Sequence, residues 1–309
     1  MPRRNSVVIL GVFVADTAYR AERMPRVGET LLGTGFRLGP GGKGSNQAVA
    51  AARLGAETAL ITRLGADAFG DMALATWEEA GVTPLVTRDP ASYTGAAFIF
   101  LEQASGNNAI IIAPGAGEAL SAADIDAHAG AIEGAGVFLT QLEQPLEAAA
   151  RGLERAAAAG VTTILNPAPG RALPDRILAW CDYVTPNETE AEDLTGIAIE
   201  NLDAARAAGD QLLARGARAA VITLGAQGAL YHAPGRSELV PVVKAGPLVE
   251  TTGAGDAFNG GLATALSRGM EPLEAVRFGC AVAGISVTRA GTAPSMPTLA
   301  EVEALLARS

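Results

Sequence analysis

Residues 137–165 read VFLTQLEQPLEAAARGLERAAAAGVTTIL, and this segment carries the clearest signal of the fold class. The runs 137–140 and 162–165 are short and rich in apolar and β-branched residues, which favour strands. The alanine-rich run 145–159 between them is typical of a helix. A strand, a helix and a second strand in this order predict two parallel strands joined by a crossover helix.

The same alternation continues in both directions along the chain. Strands are predicted at residues 7–14, 58–62, 183–185 and 219–223, and helices at residues 46–54, 69–80, 188–194, 202–215, 253–268 and 273–288. The predicted strands are apolar throughout, as in a parallel sheet covered by helices on both faces. Ligands of such sheets bind at the carboxyl ends of the strands.

Two regions interrupt this rhythm. Residues 16–38 are polar and contain scattered glycines, and residues 93–112 look like two strands joined by a turn. We predict that these two regions form a small accessory β-sheet that acts as a lid. No Ser/Gly-rich linker divides the chain, so residues 1–309 are predicted to form a single domain.

The composition narrows the classes of function. The 309 residues include 23 Lys and Arg against 33 Asp and Glu, which gives a net charge of −10. This acidic balance argues against a nucleic-acid partner, because sequence-independent binding needs a basic surface. No run approaches the roughly 20 apolar residues of a membrane span, so no membrane partner is expected. The two cysteines, Cys181 and Cys280, lie far apart, which argues against a disulfide framework and indicates a cytoplasmic location.

The first glycine-rich segment is Gly39-Pro40-Gly41-Gly42-Lys43-Gly44-Ser45-Asn46-Gln47. Its GxGxxG spacing formally matches a dinucleotide fingerprint, but that fingerprint should follow the first strand directly, which disfavours a dinucleotide oxidoreductase. Two interpretations remain open. The segment is either a capped loop before a helix, or a loop whose glycines let the backbone approach a hydroxyl-rich ligand while Lys43 and Asn46 supply donors.

The second glycine-rich segment is Thr251-Thr252-Gly253-Ala254-Gly255-Asp256-Ala257-Phe258. As a helix start, it would use Thr252 as the cap and Asp256 to stabilise the helix dipole. As an anion hole, it would direct the N–H groups of Gly253 to Gly255 at a phosphoryl group. Asp256 could then take a proton from an attacking hydroxyl, as aspartates of kinases do.

Together these segments resemble the ribokinase family of sugar kinases, also called the phosphofructokinase B family. The resemblance extends from about residue 7 to residue 297, and its most specific motifs are the runs 41–48 and 251–258. Three further segments look like the ribokinase branch and occur in the same order: Asn166-Pro167-Ala168-Pro169, Pro186-Asn187-Glu188-Thr189-Glu190 and Thr288-Arg289-Ala290-Gly291. The family implies a three-layer α/β/α fold with a mostly parallel sheet, a β-sheet lid, and a homodimer formed through that lid.

The resemblance also implies a role for each matching position. Asp256 is the expected catalytic base, and the expected anion hole is Gly253, Ala254 and Gly255. The expected sugar-binding residues are Asp16, Gly41, Gly42, Lys43, Asn46, Glu143 and Asp256. The expected residues for ATP and its Mg²⁺ are Asn187, Glu190, Thr223, Gly225, Gly228, Gly255 and Cys280. The expected site for a monovalent cation, K⁺, is Glu250, Thr252, Ser286, Arg289, Gly291 and Ser295, with Glu250 where the family usually has Asp.

The favoured substrate is ribose, phosphorylated by ATP to ribose 5-phosphate. The segments expected to face the sugar contain Lys43 as their cation and no arginine cluster, which favours an uncharged sugar over a sugar phosphate. Val14 stands where ribokinases can carry Asn, so a 2-deoxyribose kinase or nucleoside kinase is the alternative. A sugar- or nucleotide-binding regulator without activity is disfavoured, because Asp256 is retained.

Overall fold

The computed structural model describes residues 5–105 and 107–308, so the centre of the predicted turn, Gly106, lies outside the described residues. The strands in chain order are β1 (Ser6–Leu10), β2 (Val14–Ala21), β3 (Gly35–Gly41), β4 (Glu57–Gly65), β5 (Thr83–Asp89), β6 (Thr94–Glu102), β7 (Asn108–Gly115), β8 (Val137–Thr140), β9 (Thr162–Leu165), β10 (Tyr183–Val184), β11 (Ala219–Thr223), β12 (Gly228–Ala233) and β13 (Arg236–Pro241). The helices are α1 (Lys43–Arg53), α2 (Ala68–Ala80), α3 (Ala122–Ala127), α4 (Ala129–Glu133), α5 (Leu146–Ala158), α6 (Asp175–Leu178), α7 (Glu188–Thr195), α8 (Leu202–Ala214), α9 (Ala254–Ser267), α10 (Pro272–Ser286) and α11 (Leu299–Leu306).

The main sheet has the strand order β13-β12-β11-β10-β9-β8-β1-β4-β5. The strands β11, β10, β9, β8, β1, β4 and β5 of this sheet run parallel to one another, and β12 and β13 add an antiparallel edge. The chain leaves β1 toward β4 on one side and later returns to β8 on the other. The sheet therefore has a switch point beside β1, where α/β sheets bind ligands at the carboxyl ends of their strands.

Helices cover both faces of the main sheet, as the sequence predicts. Along β1, Val7 and Ile9 belong to the apolar core shared with α1, α2, α9, α10 and α11. Val8 and Leu10 point the other way, into the core shared with helices α3 to α8. Among the helices of the described residues, none is both long and apolar enough to cross a membrane.

The first predicted strand is wrong at its carboxyl end. Residues 7–14 were expected to form one strand, but β1 ends at Leu10 and the chain crosses to a second sheet, where β2 begins at Val14. The reason is local packing: Gly11 lies against Gly44, so closely that a Cβ on Gly11 would lie 2.7 Å from the Gly44 Cα. This contact seats the start of α1 directly over the carboxyl end of β1.

The second sheet is the predicted accessory sheet, with strand order β3-β2-β6-β7. It covers somewhat more than the regions predicted, because β2 starts two residues earlier and β7 continues to Gly115. One face carries Tyr19, Phe36 and Phe98, whose rings lie 5.0 and 5.5 Å from the Tyr19 ring. Tyr19 and Phe36 are exposed on this face, and the opposite face carries Asp16 and Arg37.

Candidate active site

Asp256 lies in the first turn of α9, which begins after Gly253. Gly253 adopts φ 81°, a left-handed conformation that favours glycine, and this turn lets the chain enter the helix from an exposed loop. Although it is a carboxylate, Asp256 is only 6% exposed. Burial raises the pKa of the Asp256 carboxyl, and the Lys43 ammonium opposes this effect.

Helix α1 holds the Asp256 carboxylate in a defined orientation. Asn46 Nδ2 donates to Asp256 Oδ2 at 2.9 Å, and Gln47 Nε2 donates to Asp256 Oδ1 at 3.0 Å. Both amides lie in the first turns of α1, which packs closely against α9. The two glycine-rich segments, 210 residues apart, therefore meet at one carboxylate.

The start of α1 also sets the position of Lys43. Gly42, at φ 86°, is so close to the link after β1 that a Cβ there would lie 2.5 Å from the Val12 carbonyl oxygen. Lys43 N donates to Glu143 Oε2 at 2.8 Å, which brings Glu143 to the same point. Burial lowers the pKa of the Lys43 ammonium, but the carboxylates of Asp256 and Glu143 among others raise it more, so Lys43 stays charged. Burial raises the pKa of Glu143 to about 7, against the effect of Lys43.

Asp16 reaches the site from the second sheet. It lies in β2 opposite Gly39 of β3, and a Cβ on Gly41 would collide with its carboxylate, so the two segments are in contact. Burial raises the pKa of Asp16 to about 6, while Arg37 lowers it and Asp256 raises it further. The segments that face the sugar are predicted from sequence to contribute one cation, Lys43. The antiparallel register adds Arg37, two residue pairs away from Asp16 and on the same face of the sheet.

The predicted anion hole lies beside Asp256, with one of its three members engaged. Ala254 donates its N–H to the Thr251 carbonyl oxygen at 3.1 Å. Gly253 and Gly255 line a cavity of about 150 Å³ together with Lys43 and Asp256. N–H groups at the start of a helix have no partner within the helix, so this cavity suits an anion.

Asn187 and Glu190 line the same cavity from the start of α7. They form a reciprocal cap: Glu190 N donates to Asn187 Oδ1 at 2.8 Å, and Asn187 N donates to Glu190 Oε2 at 2.9 Å. Burial raises the pKa of Glu190, and Lys43 opposes that shift.

A larger cavity of about 650 Å³ adjoins the first and is mostly apolar. Its walls include every remaining residue predicted for the nucleotide: Thr223, Gly225, Gly228, Gly255 and Cys280. Cys280 is 5% exposed, and burial raises the pKa of its thiol to about 12, so it is a neutral wall residue. Lys244 also lines this cavity, although no sequence motif pointed to it.

The residues predicted for the monovalent cation converge only in part. Gly291 N donates to Glu250 Oε2 at 2.8 Å, and Glu250 N donates to the Val287 carbonyl oxygen at 3.2 Å, just after α10. Glu250 Oε1 lies 3.7 Å from Arg37 Nη2. The remaining predicted members lie on the same C-terminal stretch or beside Gly253: Thr252, Ser286, Arg289 and Ser295. The Arg289 guanidinium pairs with Glu301 and has no acceptor atom, so only the backbone carbonyl of Arg289 could bind a cation.

Behind Asp256 lies a chain of hydrogen bonds that the sequence analysis did not assign to the site. We call it the buried amide network, and it consists of Gln47, Gln141, Asn166, Thr185 and Asn259. Each of these side chains is at most 6% exposed. The available signal was a run of amide and hydroxyl residues inside segments that otherwise read as apolar, since buried amides require partners.

Comparisons with known proteins place these features in a family. A family model described as pfkB family carbohydrate kinase matches residues 4–299. A ribokinase of Haemophilus influenzae is 38% identical over 301 residues, which cover 96% of this chain and 97% of the relative. A deoxyribokinase of Salmonella typhi is 36% identical over 295 residues, covering 95% and 96%. The structure of Arabidopsis thaliana ribokinase complexed with ribose and ATP superposes with a TM-score of 0.92 at 31% identity, and 99% of each chain is covered.

Proposed function

The chain belongs to the pfkB family of carbohydrate kinases, and from this premise we propose that it is a ribokinase that converts D-ribose and ATP into D-ribose 5-phosphate and ADP. The observation that carries the proposal is Asp256, a buried carboxylate oriented by two amides at the start of a helix. It borders the cavity that Lys43, Gly253 and Gly255 also line. This is the arrangement that phosphoryl transfer to a hydroxyl requires.

The proposed reaction is an in-line displacement. Asp256 accepts the proton of the ribose 5-hydroxyl while the hydroxyl oxygen forms a bond to the γ-phosphorus. The bond from that phosphorus to the bridging oxygen breaks, and ADP leaves with the electron pair. Lys43 and the N–H groups of Gly253 and Gly255 stabilise the charge of the transferring group.

The sugar side of the proposed site is rich in oxygen acceptors. The Asp16 and Glu143 carboxylates both lie near the start of α1, through the contact of Asp16 with Gly41 and the Lys43–Glu143 hydrogen bond. Within residues 5–105 and 107–308, Asn46 Oδ1 is buried without a hydrogen-bond partner. Sugar hydroxyls donate to such acceptors, and charged acceptors give the stronger hydrogen bonds.

A 2-deoxyribose kinase is the second candidate, and Val14 is the observation that favours it. Val14 is 6% exposed and lies against Gly42, since a Cβ on Gly42 would lie 2.9 Å from the Val14 backbone nitrogen. An apolar side chain at that point supplies no hydrogen bond to a sugar hydroxyl. A substrate panel separates the candidates: ADP formation is measured with ribose, 2-deoxyribose, adenosine and fructose at matched concentrations. A kcat/KM for ribose below that for another member would overturn the ribose proposal.

Mg²⁺ fits the described residues as a cofactor carried in with ATP. Mg²⁺ commonly takes one or two carboxylates together with substrate phosphates and water, so a full protein cage is not needed. Glu190, with Asn187 beside it, supplies a suitable carboxylate on the wall of the small cavity. When bound, the ion would neutralise charge on the β- and γ-phosphates.

K⁺ is proposed at the loop around Glu250. The donor set is oxygen-rich, as hard cations require: the Glu250 carboxylate, the fully buried Ser295 hydroxyl, and backbone carbonyls at the C-terminal end of α10. The C-terminal end of a helix also favours a cation. The ion would hold the loop before Gly253, and so the anion hole, in place.

We also propose that the second sheet is a lid and that its exposed face forms a homodimer. Phe36 is 61% exposed and Ile111 is 64% exposed on that face. Apolar residues concentrated on one sheet face are typical of an interface between subunits. Sedimentation velocity tests this, and a monomer at micromolar concentration would count against it. The cytoplasm remains the proposed compartment, in keeping with two buried, free cysteines.

A further inference from the structure

Gln47 occupies a special position within the buried amide network. It is fully buried in α1, and its Nε2 group donates both to Asp256 Oδ1 at 3.0 Å and to Asn166 Oδ1 at 3.1 Å. Its Oε1 accepts a hydrogen bond from Gln141 Nε2. Both ends of the amide are therefore engaged, so the side chain cannot turn its oxygen toward Asp256 without losing three hydrogen bonds.

The network continues from Gln47 to the anion hole. Asn166 Nδ2 donates to the Thr185 carbonyl oxygen at 3.1 Å, and Thr185 Oγ1 donates to Asn259 Oδ1 at 2.6 Å. Asn259 Nδ2 then donates to the Gly255 carbonyl oxygen at 2.8 Å. Gly255 precedes Asp256, so this series of hydrogen bonds connects the Asp256 carboxylate to the backbone at the start of α9.

From this geometry we infer that Gln47 is a positioning residue for phosphoryl transfer, which fixes the Asp256 carboxylate relative to the anion hole through the buried amide network. The inference rests on the proposed function. Gln47 is not predicted to touch sugar or nucleotide, because it is fully buried and is not among the residues that line the cavity beside Asp256. Its removal should therefore lower kcat and leave substrate binding intact.

Gln47→Met tests this, because it preserves length and apolar packing but removes every hydrogen bond. We expect kcat to fall about tenfold to a hundredfold, the effect of losing one hydrogen bond to a charged group. The KM values for sugar and ATP should stay within about twofold, because loss of an interaction made in the transition state spares KM.

The pH profile gives a readout that a purely structural role would not move. The charged groups that interact electrostatically with Asp256 are Lys43 of α1, Asp16 of β2, Glu143 of the loop before α5 and Glu190 of α7. None of these groups changes in Gln47→Met. Since an N–H donor stabilises the ionised carboxylate, its loss should move the acid limb of kcat to higher pH.

Gln144→Met is the matched control. Gln144 is 3% exposed and donates to Thr140 Oγ1 at 2.8 Å and to the Gln141 backbone carbonyl oxygen at 2.6 Å, but the side-chain donors to Asp256 are Asn46 and Gln47. We expect a lower melting temperature for this control, with kcat and the acid limb unchanged. If Gln47→Met does not fold, Gln141→Met removes the donor that orients Gln47, and a smaller change of the same kind is expected.

The outcomes are distinct. A Gln47→Met enzyme with wild-type kcat and acid limb would overturn the inference, as would equal kcat losses in Gln47→Met and Gln144→Met. Sugar binding is checked by calorimetry, and a loss of sugar affinity in Gln47→Met would also contradict it. The proposed function is tested separately, because it fails if the wild-type enzyme phosphorylates no ribose. The comparison of variants can then be made with whichever sugar the enzyme accepts.

Discussion

The two sides of the site are built in contrasting ways. On the core side, Asp256 is 6% exposed and both of its oxygens accept hydrogen bonds from buried amides of α1. On the lid side, Asp16 extends from a four-stranded sheet whose outer face is exposed, with Ile111 at 64%. The core side is held by buried hydrogen bonds, whereas the outer face of the second sheet leaves Tyr19, Phe36 and Ile111 exposed. The contrast suggests that the core carries the chemistry and the lid carries recognition of the sugar.

The strongest test of this contrast is Asp256→Asn, which should abolish phosphoryl transfer while the fold persists. Loss of a positioned base typically costs about 10²–10⁴ in rate. The fold should tolerate the change, because the unpartnered Asn46 Oδ1 lets that amide turn and accept from the new side chain. Turnover is measured by ADP release and stability by thermal melting. Near-normal turnover of a folded variant would show that Asp256 is not the base.

On the lid side, Asp16→Ala should impair use of the sugar and spare ATP. Several hydrogen bonds from hydroxyls to one carboxylate would be lost, so KM for ribose should rise about a hundredfold. Calorimetry with ribose and with ATP measures the two affinities. Asp203→Ala, at an exposed aspartate paired with Arg206, is the control and should change neither. An equal loss of both affinities in Asp16→Ala would indicate damage to the whole fold.

Ribose should protect the lid from hydrogen exchange and leave the core unchanged. Closure over the sugar would slow exchange in β2, β3, β6 and β7, by up to roughly a hundredfold at one hundred times the dissociation constant. The amides of β1 and β8 lie in the buried core and serve as the internal reference. Equal protection with and without ribose in the lid strands would argue against closure.

A smaller effect is expected from the proposed cation site. Activity should rise in K⁺ relative to Na⁺ at constant ionic strength, by about fivefold, near the low end of coupling between two sites. Glu250→Gln should remove most of that activation, since a neutral amide attracts a cation more weakly than a carboxylate does. The assay uses K⁺, Cs⁺ and Na⁺ salts with both enzymes. Identical rates in all three salts would exclude activation by a monovalent cation.

The smallest expected effect concerns the pH dependence of sugar capture. Asp16 must be ionised for both of its oxygens to accept hydrogen bonds from sugar hydroxyls. Burial raises its pKa to about 6, and Arg37 opposes this rise. Arg37→Gln should therefore raise that pKa and shift the acid limb of kcat/KM upward. We expect about half a pH unit, because an exposed partner contributes less than about 1 kcal/mol. Arg236→Gln, on the exposed edge strand β13, is the control, and a downward or absent shift in Arg37→Gln would contradict the prediction.

Much of the fold followed from local pattern. The βαβ alternation around residues 137–165 correctly predicted parallel strands with helices on both faces, because buried strands and helices differ in period and composition. Strands with polar or mixed residues were missed, β5 and β13 among them. Such sequences resemble loops until their neighbours in the sheet are known.

For the site, the two glycine-rich segments, with Lys43 and Asp256 inside them, could be identified from local sequence. The hydrogen bond of Gln47 to Asn166, 119 residues away, and the position of Arg37 on the same sheet face as Asp16 could not. An amide or a guanidinium carries no local signal of its partner. Its role depends on which groups the fold brings near it, and long-range packing of α1 against α9 and pairing of β2 with β3 determine those neighbours.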